Sequence, residues 1–253
     1  MDLVSKYHAY FRVQRADTPD LIREAQKIRY DVYCREFRFE DESEHADGLE
    51  IDPFDLVSRH CVMIHKPSGL CVGCVRLVLA NPAEPSALFP FEKYCGDSLR
   101  REIVDPATLP RDSFGEISRM AIRQEFRRRR GEVSHPDGFG AVTNPLRDQD
   151  RRHGPQMVLG LYLAAAAIGL SSGLESVFAM MEPRLARHLF FAGIRFEQVG
   201  DVIDYHRPRA AFRITRQSIF AYLDPEVRAL LDTISVDLSG PDLYTERKKA
   251  QVG

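Results

Sequence analysis

Gly115-Glu116-Ile117-Ser118-Arg119-Met120-Ala121-Ile122 is the stretch on which the fold turns. It has the alternation of a half-buried strand. With a side-chain period of two, Glu116 and Ser118 share one face, and Ile117 and Arg119 take the other. A carboxylate and a guanidinium on so apolar a strand need partners if they are even partly buried.

Upstream, His60–His65 and Leu70–Leu79 read as a hairpin around Lys66-Pro67-Ser68-Gly69. Before them, Phe11–Ala16 reads as a short strand. Thr18-Pro19-Asp20 then opens a helix whose inward positions include Leu21, Ile22, Ala25, Ile28, Arg29, Val32 and Tyr33. Residues 36–55 are acidic and carry Gly48 and Pro53, which predicts a long loop or lid. The proline-rich segment 81–112 reads as irregular with one short helix.

Downstream, an arginine-rich insertion fills 124–154. Pro155–Leu170 reads as a strongly apolar helix whose alanines suit close packing on a sheet. Ser176–Met181 reads as a buried strand. Glu182-Pro183 starts a helix through Phe191 that Gly193 ends. Phe196–Asp204 and Ala211–Thr215 read as two further strands, Glu226–Thr233 as a short helix, and the charged tail 244–253 as disordered. Strands and helices mix in one pattern without a linker. This predicts a single α/β domain over 1–253, core about 10–217, with a mixed sheet.

Bulk properties narrow the function. Of 253 residues, 44% are hydrophobic and 28% charged, ordinary for a soluble globular protein, and a formal charge of −2 gives no global pull toward nucleic acid or membrane. The longest apolar run, Leu159–Leu170, is too short to span a bilayer, and the N-terminus shows no signal-peptide pattern. The expectation is a cytoplasmic protein, neither integral to a membrane nor a nucleic-acid binder. Five cysteines argue against a disulfide framework. Cys71-Val72-Gly73-Cys74 lies in a strand, where positions three apart face opposite sides, so these read as small core residues. No histidine pair has supported metal-ligand spacing, so no metal is expected, and no nucleophile elbow appears.

Four pieces in order resemble the N-acyl homoserine lactone (autoinducer) synthases: Arg29-Tyr30-Asp31-Val32-Tyr33, Glu50-Ile51-Asp52-Pro53-Phe54-Asp55, Val72-Gly73-Cys74-Val75-Arg76-Leu77 and Glu116-Ile117-Ser118-Arg119. Glu116 to Ile122 followed by Phe126-Arg127-Arg128-Arg129, and Met181-Glu182-Pro183-Arg184-Leu185-Ala186-Arg187 running into Gly193-Ile194-Arg195-Phe196, are similar to a sister group, the acyltransferases of PEP-CTERM/exosortase systems, themselves related to long-chain N-acyl amino acid synthases. The resemblance covers roughly 10–217. It implies a GNAT-like fold, with a twisted, mostly antiparallel sheet whose central strands splay. It also implies transfer of an acyl group from acyl carrier protein to an amine. In the lactone synthases that amine belongs to S-adenosylmethionine; in the sister group it belongs to an amino acid.

The residues then take roles. Direct attack by an amine needs a base, and a desolvated carboxylate has its pKa raised toward working pH. Glu116 is assigned that task. Ser118 either places a hydroxyl near the thioester or serves as a filler hydroxyl, and Arg119 completes the catalytic strand. The resemblance puts Arg29, Asp52, Asp55 and Arg76 around the acceptor. Asp52 and Asp55 hold its ammonium or order the lid, and Arg76 or Arg119 forks onto its carboxylate. The same charges also read as a salt-bridge network fastening the lid. The pantetheine arm belongs between strands 115–122 and 176–181.

Arg127-Arg128-Arg129-Arg130-Gly131 stands where GNAT enzymes carry the pyrophosphate loop R/Q-x-x-G-x-G/A, but only its first half is present, and 23 residues precede Pro155. That favours the acidic surface and phosphopantetheine of an acyl carrier protein over coenzyme A. Two departures stand out. The chain has no tryptophan where the lactone synthases carry one, leaving Phe37 or Phe39 to fill the space. The link Tyr205-His206-Arg207-Pro208-Arg209-Ala210 lacks the glycine expected in the sister group. The leading expectation is N-acyl amino acid synthesis. Its rivals are a homoserine lactone synthase, a coenzyme A-dependent GNAT enzyme, and a catalytically inactive module that binds an acylated carrier.

Overall fold

A computed structural model describes residues 2–127 and 153–239. The chain begins with α1 (Leu3–Tyr10), β1 (Phe11–Arg15) and α2 (Pro19–Arg29). The hairpin β2 (Ser58–His65) and β3 (Leu70–Val78) follows, then α3 (Pro90–Cys95), β4 (Phe114–Ile122) and the single turn α4 (Gln124–Arg127). The C-terminal half runs α5 (His153–Ser171), β5 (Ser176–Met181), α6 (Pro183–Phe191), β6 (Glu197–Gln198), β7 (Ile203–Asp204), β8 (Pro208–Thr215), α7 (Arg216–Tyr222) and α8 (Pro225–Ser239).

The described strands form one mixed sheet in the order β1-β2-β3-β4-β5-β8-β6, with β7 hairpinned onto β8. Every pairing is antiparallel except β4 with β5. One face carries α5 and α8, with the largest apolar cluster, including Met63, Val75, Leu77, Leu161, Ala164 and Leu230, between them and the strands. The other face carries α2 over β2–β4, and α3 against β5. The protein is a three-layer α–β–α sandwich. No helix among the described residues is long and apolar enough to cross a membrane.

The local grammar explains most boundaries. Thr18 caps α2 by accepting from the Leu21 amide, and Pro19 sits in the first turn, where its missing N–H costs nothing. The buried stripe Leu21, Ala25, Ile28 ends on a charge, Arg29. α2 then widens into a π-helix over Tyr30–Glu36, a distortion that frequently marks functional sites. Gly193 ends α6 at φ +79; a Cβ there would lie 2.2 Å from the Tyr222 carbonyl oxygen.

Several expectations need correction. α1 and α7 were not foreseen. α1 buries only Leu3 and Tyr7, too few inward positions to show as a period. Residues 196–204 hold two two-residue strands rather than one long one. α8 runs to Ser239, six residues past the expected end. A register shift between β2 and β3 near Ile64 lets Cys71 and Cys74 pack into the same cluster beneath α2 instead of facing opposite sides; both remain small core residues.

Candidate active site

The parallel pairing of β4 and β5 runs from Phe114 opposite Ser176 to Ile117 opposite Ala179 and stops there. Beyond it, β4 stays with β3 and β5 stays with β8, so the strands part in a V. Two cavities of ≈ 70 Å³ each meet in its mouth. Tyr33, Ile117, Ser118, Arg119, Met180 and Arg209 line both. The first cavity extends over Glu116, Asp52, Arg76 and the lid. The second extends toward Tyr162 of α5 and Leu185 of α6.

Within β4, the strict period of two fails at one residue. Arg76 lies opposite Ser118, and Cys74 lies opposite Ala121, so Arg119 and Met120 together face Val75. This bulge places Arg119 at φ +51, in the left-handed region a non-glycine residue enters only at a cost. Its guanidinium therefore turns to the side Arg76 occupies. This corrects the expectation that Arg119 faces away from Glu116.

The lid meets these arginines with carboxylates. Asp52 caps the short 3₁₀ turn Pro53–Val57 by accepting from the Phe54 amide, and Asp55 reaches back to the Asp52 amide. Arg29 forks onto both oxygens of Asp55 at 2.8 and 3.1 Å and donates through Nε to Glu50. Arg76 Nη1 donates to Asp52 at 2.5 Å and to Asp55 at 2.7 Å, while its Nε donates to the Ser118 hydroxyl at 3.1 Å. Arg119 donates to Glu50 at 3.1 Å and to Glu40 at 3.0 Å, with Asp52 at 3.4 Å. Burial alone would raise the Asp55 carboxyl; Arg29 and Arg76 overturn that and hold it well below the usual carboxylate range. Asp52 and Arg76 line the first cavity, whereas Arg29 and Asp55 sit behind them and hold them in place.

Glu116 lies outside this network. It is 2% exposed, and its Oε2 accepts the Phe91 amide at 2.9 Å. Burial pushes its carboxyl up to about 8, against the opposing pull of that hydrogen bond and of the Arg76 and Arg119 charges. Phe91, stacked on Phe178 with ring centroids 4.5 Å apart, forms the floor beside it.

Aromatic groups close the other side. Tyr33, carried on the π-helix, donates to the Met120 carbonyl at 2.6 Å. Phe39 stacks on Phe37 at 5.4 Å and on His206 at 5.1 Å, and Phe39 fronts the cavity. His206 stands at φ +61, a conformation glycine adopts most readily, on the link where the expected glycine is missing. Sequence reasoning gave no role to Tyr33, Glu40, Glu50, His206 or Arg209. Glu50 was the most accessible of these, since it lies two residues before Asp52 in a stretch already singled out.

Arg127 turns inward. Its side chain is 1% exposed, pairs with Glu36, donates to the Ile122 carbonyl at 2.5 Å and lies over the Phe37 ring. It therefore presents no surface charge. Arg128, Arg129 and Arg130 lie outside the described residues.

Residues 28–134 match the family model of the acetyltransferase (GNAT) domain. The solved structure of the AHL synthase LasI superposes with a TM-score of 0.54 at 16% identity, covering 85% of this chain and 95% of LasI. The fold is GNAT-like. FeeM, an N-acyl amino acid synthase from uncultured soil microbes, gives a TM-score of 0.52 at 11% identity, covering 84% of this chain and 94% of FeeM. BjaI, a CoA-dependent acyl-homoserine lactone synthase, gives 0.55 at 19% identity over 88% and 89% of the two chains. No curated protein matches the chain in sequence. The V between β4 and β5 is the splay expected of this GNAT-like sheet.

Proposed function

We propose that this chain is an N-acyltransferase that passes a long-chain acyl group from the phosphopantetheine thioester of an acyl carrier protein to the amine of an amino acid, with Glu116 as general base. One observation carries the reading: a fully buried carboxylate, raised to about 8, borders a cavity at the mouth of the splayed strands. An α-amino group titrates at about 8 in model peptides, so proton transfer to Glu116 is close to balanced. Glu116 takes the ammonium proton directly or through a water. The freed amine attacks the thioester carbon, the N–C bond forms, and the C–S bond breaks as the thiol leaves with a proton. Backbone amides along the parted edges of β4 and β5 have no strand across the V and can donate to the developing oxyanion.

The second cavity suits the donor. Met120, Met180 and Met181 line it, and unbranched thioethers adjust to chains of different shape. The half-complete pyrophosphate loop supports a carrier protein over coenzyme A. Arg128, Arg129 and Arg130 are assigned to the carrier's acidic surface. A homoserine lactone synthase is the second reading, because Arg29, Asp52, Asp55, Arg76, Glu116 and Arg119 all fall on motifs resembling that group.

The test is product mass. The purified chain is incubated with an acyl carrier protein thioester or the matching acyl-CoA, and with S-adenosylmethionine or the pooled amino acids. An N-acyl amino acid formed from the carrier thioester is expected. An acyl lactone would move the assignment to the second reading, and turnover with acyl-CoA alone would move the donor. No product from any combination would leave a module that binds the carrier without chemistry.

A further inference from the structure

Arg209 differs from the other arginines that line the two cavities, Arg76 and Arg119. Arg29, Arg76 and Arg119 each face two or more carboxylates. Arg209 lines both cavities, yet among the described residues no carboxylate lies within ion-pair distance of it, and its buried Nε has no hydrogen-bond partner. Its guanidinium carbon lies 5.9 Å from the centroid of the Phe39 ring, and its charge is also felt by Tyr33, Cys95 and His206, none of them an anion partner.

The sheet register explains where this cation stands. Glu116 lies opposite Phe178, and Phe178 lies opposite Arg213, so these three share one face. β8 runs antiparallel to β5, and Ala211 lies opposite Met180. Two residues farther along the same face comes Arg209, just past the end of β5. Ser118 continues that face on β4, across the V. The first cavity is thus bounded by a buried carboxylate on one wall and an unpaired guanidinium on another.

A partly buried guanidinium with no anion is costly, so the site favours a ligand that brings one. We infer that Arg209 anchors the carboxylate of the acceptor, and that the acceptor is therefore an α-amino acid moiety rather than a simple amine. This rests on the acyl-transfer reading above for the position of the amine. With the ammonium at Glu116 and the carboxylate at Arg209, loss of the ammonium proton to Glu116 frees the nitrogen lone pair beside the mouth of the V, where the thioester enters. A planar fork suits a carboxylate better than a point charge does, which is a reason for arginine here rather than lysine. S-Adenosylmethionine carries the same ammonium and carboxylate pair, so the anchor serves either acceptor.

The experiment compares wild type, Arg209→Gln and Arg209→Lys on the twenty L-amino acids, S-adenosylmethionine and the primary amides of the same amino acids, with a carrier protein thioester as donor. Wild type is expected to prefer the accepted acid over its amide by on the order of 10²-fold in kcat/KM. In Arg209→Gln that ratio should fall to about one through a rise in KM for the acid, with Arg209→Lys intermediate. A ratio preserved in Arg209→Gln would overturn the assignment, as would equal losses on acid and amide. If wild type acylates no amine, the acyl-transfer reading fails, and ligand-induced shifts in melting temperature decide the anchor. A shift with an acid, absent with its amide and lost in Arg209→Gln, supports it; identical shifts in wild type and Arg209→Gln, or none with any acid, overturn it.

Discussion

Glu116 is a buried carboxylate and Asp55 a half-buried one on the same side of the sheet, and their surroundings drive them in opposite directions. Asp55 lies between Arg29 and Arg76 and stays ionised; Glu116 meets a single amide donor and is pushed up to about 8. The two set opposite limits on stability. Because the folded pKa of Asp55 is depressed, its contribution is present above its unfolded value, 3.8, and is lost as pH falls. Because the folded pKa of Glu116 is raised, its contribution is full below 4.5 and is lost as pH rises toward 8, at a slope of roughly 1.4 kcal/mol per pH unit within that window. Urea unfolding of wild type and Glu116→Gln at pH 5 and pH 8 checks this. The variant should gain stability relative to wild type at pH 8; an unchanged difference at the two pH values would mean Glu116 is not held neutral. The sequence showed Glu116 as a carboxylate on an apolar strand, and that much was readable. Its contact with the Phe91 amide was not, because the segment that brings Phe91 there has no periodic signature. Arg119 was assigned to the wrong face because its positive φ at the bulge leaves no mark in the alternation of side chains.

At the scale of elements, the lid turn is held by charge as well as by apolar packing. This 3₁₀ turn, Pro53–Val57, fully buries none of its residues: Phe54 and Val57 rest partly buried on the cluster around Phe89 and Phe91, and Leu56 is 91% exposed. Its capping box and the arginines that grip Asp52 and Asp55 supply the rest of the hold. Arg76→Met keeps the volume of a long side chain but leaves both carboxylates short of a partner. The expected loss is about 3–5 kcal/mol in urea unfolding, with faster proteolysis within 36–57 than within the sheet. A loss below about 1 kcal/mol with an unchanged cleavage pattern would show that the lid is held by something else. This element was legible in outline: the acidic composition of 36–55 announced a loop, and Asp52 and Asp55 announced its anchors. The central strands and α2, α5 and α6 were legible too, since caps, prolines and long apolar stripes bound them. α1 and α7 were not, because short helices resting on one or two buried positions take their stability from neighbours that a local window does not contain.

For the whole molecule, the V is a property of the sheet order. β4 and β5 are the parallel pair, joined through α5, and each is held on its outer side by an antiparallel neighbour. Once their pairing ends at Ile117 and Ala179, both edges remain supported while the space between them opens. Glu116 and its charged neighbours line the cavity on one side, while Tyr162 and Leu185 line the one on the other, so two ligands could meet at the mouth of the V without sharing an entrance. The most direct test of this account is the pH dependence of acyl transfer from a carrier thioester to the accepted amino acid, in wild type and in Glu116→Gln. The account predicts that wild-type kcat rises with pH through an apparent pKa near 8, and that the variant loses that limb along with about 10²–10⁴-fold in rate. A variant that retained both the wild-type rate and its pH profile would contradict it.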